Sequence, residues 1–383
     1  MRAKIPPHRR AILFMIFLML YGFLFSFVMS VIFFAVYVSI PYDEFLDLRA
    51  VVTSPWFIMF GQVMALLVPL GIWLLIFREK FSRYVPNAPL GAKNIAYIVC
   101  ISLLLVPAAN VISGLTMFFF PNEIGDFMME AFTHHGFLMM ILAVAVTPSI
   151  CEEIVFRGYI QSEYRYKAFW TMALMNGLFF GIIHSSPQQF FYAFAMGVVF
   201  AYMVHVTGSV RAGVLSHFVM NASSISLLAF SLRMMELFGD YMEAAPEPEL
   251  SEQAQLMMAL GMWGTFAIFT TTGAVFLFIA FHKHNVRTAY GDNRGNISEA
   301  ELSLEAGYSV RGGNRGSVSN AEISPEAERA SFFEIAPLPE DVPDSPPQIV
   351  EETLSPPKNK KDLLIDTVLI LIILALYVIF VFA

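Results

Sequence analysis

Residues 11–40 read AILFMIFLMLYGFLFSFVMSVIFFAVYVSI, a run without one acidic or basic side chain. A helix crosses the hydrocarbon core of a bilayer with about 20 apolar residues, so this run is a membrane span. Arg2, Lys4, His8, Arg9 and Arg10 precede it, a basic start that secretory signal peptides share. The run exceeds the roughly 7 to 15 residues of a signal h-region and lacks a small-residue cleavage site, so it is read as a retained first span.

Outward from this stretch, the same reading repeats along the chain. The 383 residues are 57% hydrophobic and only 14% charged, where a soluble domain keeps about a quarter of its residues charged. Nine segments meet or approach spanning length: 11–38, 56–77, 95–120, 137–160, 168–184, 189–206, 209–231, 256–282 and 363–383. The fifth and sixth are short, and Ser185-Ser186-Pro187-Gln188-Gln189 between them is expected to dip into the membrane. The predicted fold is all-α: a polytopic transmembrane helical bundle, with an eight-helix core over residues 1–284 and a C-terminal anchor helix over 363–383.

Lys and Arg alternate between loops. One set holds Arg78, Lys80, Arg83 and Lys93, then Arg157, Arg165 and Lys167, then Arg211, then Lys283 and Arg287, and Lys358, Lys360 and Lys361 before the last span. The other set is acidic: Asp43, Glu44 and Asp47, then Glu123, Asp126 and Glu130, then Glu236, Asp240, Glu243 and Glu247. Short cytoplasmic loops keep the cations, so the expected orientation has the N-terminus in the cytoplasm and the C-terminus outside. The acid of the net charge of -8 sits in loops and in a stretch near the C-terminus, so it marks no single face, and nucleic acid is excluded as a partner. Cys100 and Cys151 lie in apolar stretches and make no disulfide framework. Residues 285–362, rich in Gly, Ser, Pro and Glu, are expected to form a disordered cytoplasmic linker, and Asn293–Ala306 weakly resembles Asn314–Ala327.

Polar residues inside the apolar segments carry the chemistry. The fourth contains Thr147-Pro148-Ser149-Ile150-Cys151-Glu152-Glu153-Ile154-Val155-Phe156-Arg157-Gly158. A charge at that depth is costly and needs a partner or a function. Glu153 and Arg157 are four apart and suit an ion pair, whereas Glu152 points about 100° away and remains available as a general base. The fifth segment ends at His184, whose imidazole can exchange a proton or bind a metal. The seventh holds His217 and Asn221, four apart and able to aim two donors at one point. Read singly, the glutamates suit an interfacial helix end, His184 a helix cap, and His217 with Asn221 a helix-packing pair. Read together they converge on one site. His134-His135 and His205 are taken as surface histidines.

The order Glu152-Glu153-x-x-x-Arg157, Phe180-x-x-x-His184 and His217-x-x-x-Asn221 resembles the CPBP family of intramembrane proteases. That family includes the type II CAAX prenyl endopeptidases and bacteriocin-processing or immunity proteins. Phe194-x-x-Gly197 leading to Thr207-Gly208-Ser209-Val210 resembles a further, less diagnostic motif, and the likeness covers about 138–224. The resemblance implies that Glu152 and His184 activate a water against a peptide carbonyl while His217 and Asn221 stabilise the oxyanion. It also makes zinc a candidate cofactor, with Glu152, His184 and His217 as ligands, although the His-Glu-x-x-His pattern is absent. The implied substrate is a membrane-anchored peptide or protein, and the implied location is a multi-pass position in the cell membrane, the inner one in a bacterium. A transporter or ion pathway, and a non-catalytic scaffold or immunity protein, are the competing readings; no inverted repeat supports the first.

One consequence is geometric. Glu153 lies toward the inner end of its helix while His184 ends a helix running outward, so the two come level only if the fourth helix extends to about Tyr166 and the fifth stops short.

Overall fold

Helix ends decide how the apolar runs become a bundle, and they differ from run boundaries where polar helix formers continue the chain. The computed structural model describes residues 5–39, 51–243, 251–293 and 360–382. Nine helices follow in order among these residues. They are α1 Pro7–Ser39, α2 Pro55–Phe77, α3 Ala92–Thr116, α4, α5 Phe169–Ile183, α6 Pro187–Thr207, α7 Val210–Glu243, α8 Glu252–Asn293 and α9 Lys360–Phe382. α4 runs through five pieces, Glu123–Met140, Ile141–Val146, Thr147–Glu153, Ile154–Ile160 and Gln161–Glu163, with a kink inside the first. Among the described residues there is no strand, and the bundle is an all-α polytopic membrane protein. Eight helices are long and apolar enough to cross a membrane.

α5 is the exception at 15 residues. At 1.5 Å per residue it spans roughly 22 Å, less than the hydrocarbon core of about 30 Å. α4 in turn reaches Glu163, near the expected extension to about Tyr166. α6 is not short: its 21 residues begin at Pro187, a residue suited to a helix start because its missing N–H has no partner there.

The differences from expectation are at the ends. α7 runs on to Glu243, where Arg233 and Glu236 pair one turn apart at the helix surface. α8 runs past the expected boundary at 284 to Asn293, with Asn285 exchanging side-chain hydrogen bonds of 2.9 and 3.0 Å with Asn94. His134 and His135 lie not in a loop but in the first piece of α4, just before a kink at Gly136, whose φ is 74°. The linker from 294 to 359, most of the duplicated stretch, and the acidic residues at 43–47 and 247 lie outside the described residues.

Packing explains why these helices stay together where lipid offers no hydrophobic drive between them. α1 buries Ala11, Ile12, Phe14, Met15, Leu18 and Met19, one face of its first half, and leaves its second half to the bilayer. Phe14 sits edge-on to Trp73 and Tyr159, and Trp73 donates to the Tyr159 hydroxyl at 2.6 Å. α5 and α6 approach backbone to backbone: a Cβ on Gly197 would lie 2.8 Å from the Gly177 Cα. One end of the bundle is tied by ions. Arg10 binds Glu79 at 2.8 Å and Glu163 at 2.9 Å, and Arg9 binds Asp362 at 2.9 Å and Asp366 at 2.7 Å. The last pair fastens α9 alongside α1, with both helices starting at the same face.

Candidate active site

The middle of α4 is neither a plain α-helix nor irregular. Ile141–Val146 and Ile154–Ile160 are π-helical, and the α-helical turn carrying both glutamates lies between them. π turns turn backbone carbonyls outward and mark functional stretches of helices. Two of these carbonyls take amides from neighbouring helices: Val144 accepts from Asn221 Nδ2 at 2.9 Å, and Phe156 accepts from Asn176 Nδ2 at 2.8 Å.

Adjacent helical positions point about 100° apart, and the two glutamates accordingly meet different partners. Glu153 is fully buried. Its Oε1 accepts from Arg157 Nη1 at 2.8 Å and from His217 Nδ1 at 3.0 Å. Its Oε2 lies against the α7 backbone at Gly213, where an added Cβ would sit 2.3 Å away. Gly213 is one turn before His217, so a single face of α7 offers first the space and then the imidazole. Arg157, counted above among the loop cations, is instead fully buried. It binds Glu153, donates to the Gly197 carbonyl at 3.1 Å, and lies over the Phe180 ring at 4.2 Å, which provides for its charge in a dry place.

Glu152 retains 7% exposure and faces the other way. Gln62 Nε2 of α2 lies 3.5 Å from its Oε1, and His217 Nε2 lies 3.9 Å from its Oε2. His217 thus stands between the two carboxylates, stacked on Phe200 at 5.2 Å and edge-on to Phe180 at 5.7 Å. His184 caps α5, its Nδ1 2.7 Å from the Phe180 carbonyl, and its ring also packs on Phe180 at 4.9 Å. Tyr192 is 6.5 Å from it, ring to ring.

These bonds fix the tautomers. A carbonyl and a carboxylate only accept, so Nδ1 carries the hydrogen in both His184 and His217. In its neutral form each imidazole therefore presents Nε2 as a bare lone pair, and in its protonated form a second N–H. All six residues singled out in the sequence belong to one connected region, although Asn221 spends an amide hydrogen on Val144 rather than aiming it beside His217. Gln62 was missed. Its signal was present: between Trp56 and Phe77 it is the only amide, hydroxyl or charged side chain.

This arrangement lies within the segment that the family comparison picks out. Residues 134–223 match the family described as type II CAAX prenyl endopeptidase Rce1-like. The segment is similar to Rce1-like domains. Neither a curated protein nor a solved structure matches the chain. The Rce1-like domain takes in α4 from His134, all of α5 and α6, and α7 as far as Ser223, and so contains every glutamate and histidine of the site; Gln62 lies outside it. The match agrees with the likeness of the same motifs to the CPBP intramembrane proteases. Thr207-Gly208-Ser209-Val210 is the tight turn between α6 and α7, with Gly208 at φ 62°.

For zinc, the donor chemistry of Glu152, His184 and His217 is of the right kind, since an Nδ1-anchored imidazole with a bare Nε2 is how histidines ligate metals. The spacing is not. Among the described residues no three His, Cys, Asp or Glu side chains are grouped to hold a metal ion.

Proposed function

We propose that the protein is an intramembrane endopeptidase that hydrolyses a peptide bond of a membrane-associated polypeptide, with Glu152 as the general base. The observation that carries this reading is the pair of differently held carboxylates inside an Rce1-like domain. Glu153 is consumed by Arg157 and His217, whereas Glu152 is left reachable beside the Nε2 edge of His217.

In the proposed reaction, Glu152 takes one proton from a water whose oxygen bonds to the scissile carbonyl carbon, and the carbonyl electron pair moves to oxygen. His184 Nε2 accepts the water's other hydrogen and orients it. Glu153, sharing its charge with Arg157, holds His217 through Nδ1–H, and His217 enters the step as an imidazolium that has taken a proton from solvent at Nε2, so that Nε2–H donates to the oxyanion together with the second amide hydrogen of Asn221. When the C–N bond breaks, the proton on Glu152 passes to the leaving nitrogen and the carboxylate is restored. α5, too short to cross the bilayer, would leave a substrate held in the membrane access to this level. With Arg9, Arg10 and their partners at the cytoplasmic face, the N-terminus lies inside; in a bacterium the membrane is the inner one, and membrane-anchored peptides fit as substrates better than prenylated proteins.

The test is cleavage of membrane-tethered reporter peptides by purified protein in detergent, comparing wild type with Glu152→Ala and His184→Ala, each with and without a zinc chelator. Loss in both variants supports the reading. Equal cleavage by all three overturns the site, and cleavage abolished by chelator would bring a metal into it.

A further inference from the structure

We infer that Gln62, on a helix outside the Rce1-like domain, is a positioning residue of the same site. The inference rests on the reading of Glu152 as the water-activating base. α2 packs against α4, and its α-helical first piece, Pro55–Gln62, ends where the π-helical stretch Val63–Leu67 begins. Gln62 is thus the last residue before a widened turn, and its side chain crosses to α4 and donates Nε2–H toward Glu152 Oε1. At 3.5 Å the bond is long, as hydrogen bonds of resting catalytic groups often are before substrate tightens them.

The consequence is a division of labour between the carboxylate oxygens. Oε1 is tied down by the amide, leaving Oε2, the oxygen nearer His217, to take the proton. The amide cannot itself be ionised at any ordinary pH, so it orients Glu152 without competing for that proton. Among the described residues no other hydrogen bond reaches Glu152, and without this one the carboxylate would be free to rotate about a side chain with three torsions.

Gln62→Leu removes the donor and leaves an apolar side chain one atom shorter. Hydrogen bonds to charged groups are worth enough to change rates about tenfold to a hundredfold, and a long one belongs near the lower end. With a reporter that wild type cleaves and Glu152→Ala does not, Gln62→Leu is expected to lower kcat about tenfold and leave KM within about twofold. Gln62→Asn, one methylene short, should fall as far. A change in KM alone would make Gln62 a substrate contact and overturn the inference, as would an unchanged kcat.

A second measurement is independent of cleavage. The thermal midpoints of wild type, Gln62→Leu, Glu152→Leu and the double variant form a cycle in detergent. A double shift smaller than the sum of the single shifts supports the contact even if no reporter is ever cut, in which case it is the protease reading that fails. Additive shifts overturn the inference whatever the cleavage result.

Discussion

Gly213→Ala isolates the support beneath His217 without removing any charge. Its Cβ would stand 2.3 Å from Glu153 Oε2 and 3.2 Å from the carboxylate carbon, with Val204 Cγ2 at 3.0 Å on another side. An ordinary carbon–oxygen contact is about 3.3 Å, so the carboxylate has to retreat by about 1 Å. It is not the loose end of a flexible chain, because Arg157 at 2.8 Å and His217 at 3.0 Å hold the other oxygen. Both bonds cannot survive the retreat. A misplacement of about 1 Å near a reacting centre costs about 100-fold in rate, equivalent to about 2.7 kcal/mol of barrier. Stretching a buried ion pair should also lower stability by about 1 to 3 kcal/mol. The assay is kcat/KM on a cleaved reporter beside thermal unfolding of the same preparation, with Gly264→Ala as control because nothing lies within 4 Å of its added Cβ. A Gly213→Ala protein with wild-type kcat/KM and an unmoved Tm would refute the placement of Glu153 against α7.

Arg157→Leu strands a fully buried Glu153 and should cost about 3 to 5 kcal/mol, read as a fall in Tm or loss of folded protein in detergent. Arg157→Lys keeps the charge but loses the planar stack on Phe180, and is expected to fall between Leu and wild type. Asp366→Leu deprives Arg9 of its 2.7 Å partner on α9. With a protease site engineered near residue 330 and cut after purification, the fragment carrying α9 should stay with the wild-type core and be lost about tenfold more readily from the variant, as expected of a pair worth about 1 to 2 kcal/mol in this part-exposed setting.

The apolar runs made the helices legible because a bilayer demands length and excludes charge. Residues four apart made Glu153 with Arg157 legible for the same reason, since the helix itself sets their distance. What depends on which helices are neighbours was hidden. Gln62 has no partner on its own helix, and only the approach of α2 to α4 gives it one. Arg10, Glu79 and Glu163 lie on three separate elements, so their cluster could not be read as anything but loop charge. Helix ends beyond the hydrocarbon, such as α7 to Glu243 and α8 to Asn293, carry no hydropathy signal to mark them. The π turns of α4 answer to bonds from other helices, including those from Asn176 and Asn221, and leave no mark in the periodicity of α4 itself.

Those widened turns also bear on how such a chain tolerates change over generations. Each turn of π-helix holds more residues than an α-helical turn, so the direction in which Glu152 leaves α4 depends on how many residues lie between Met140 and Thr147, not only on which they are. Dropping one of them would swing everything beyond by about 100°, enough to carry Glu152 away from Gln62 toward lipid. An insertion or deletion of a single codon along Ile141–Val146 would therefore dismantle the site at once.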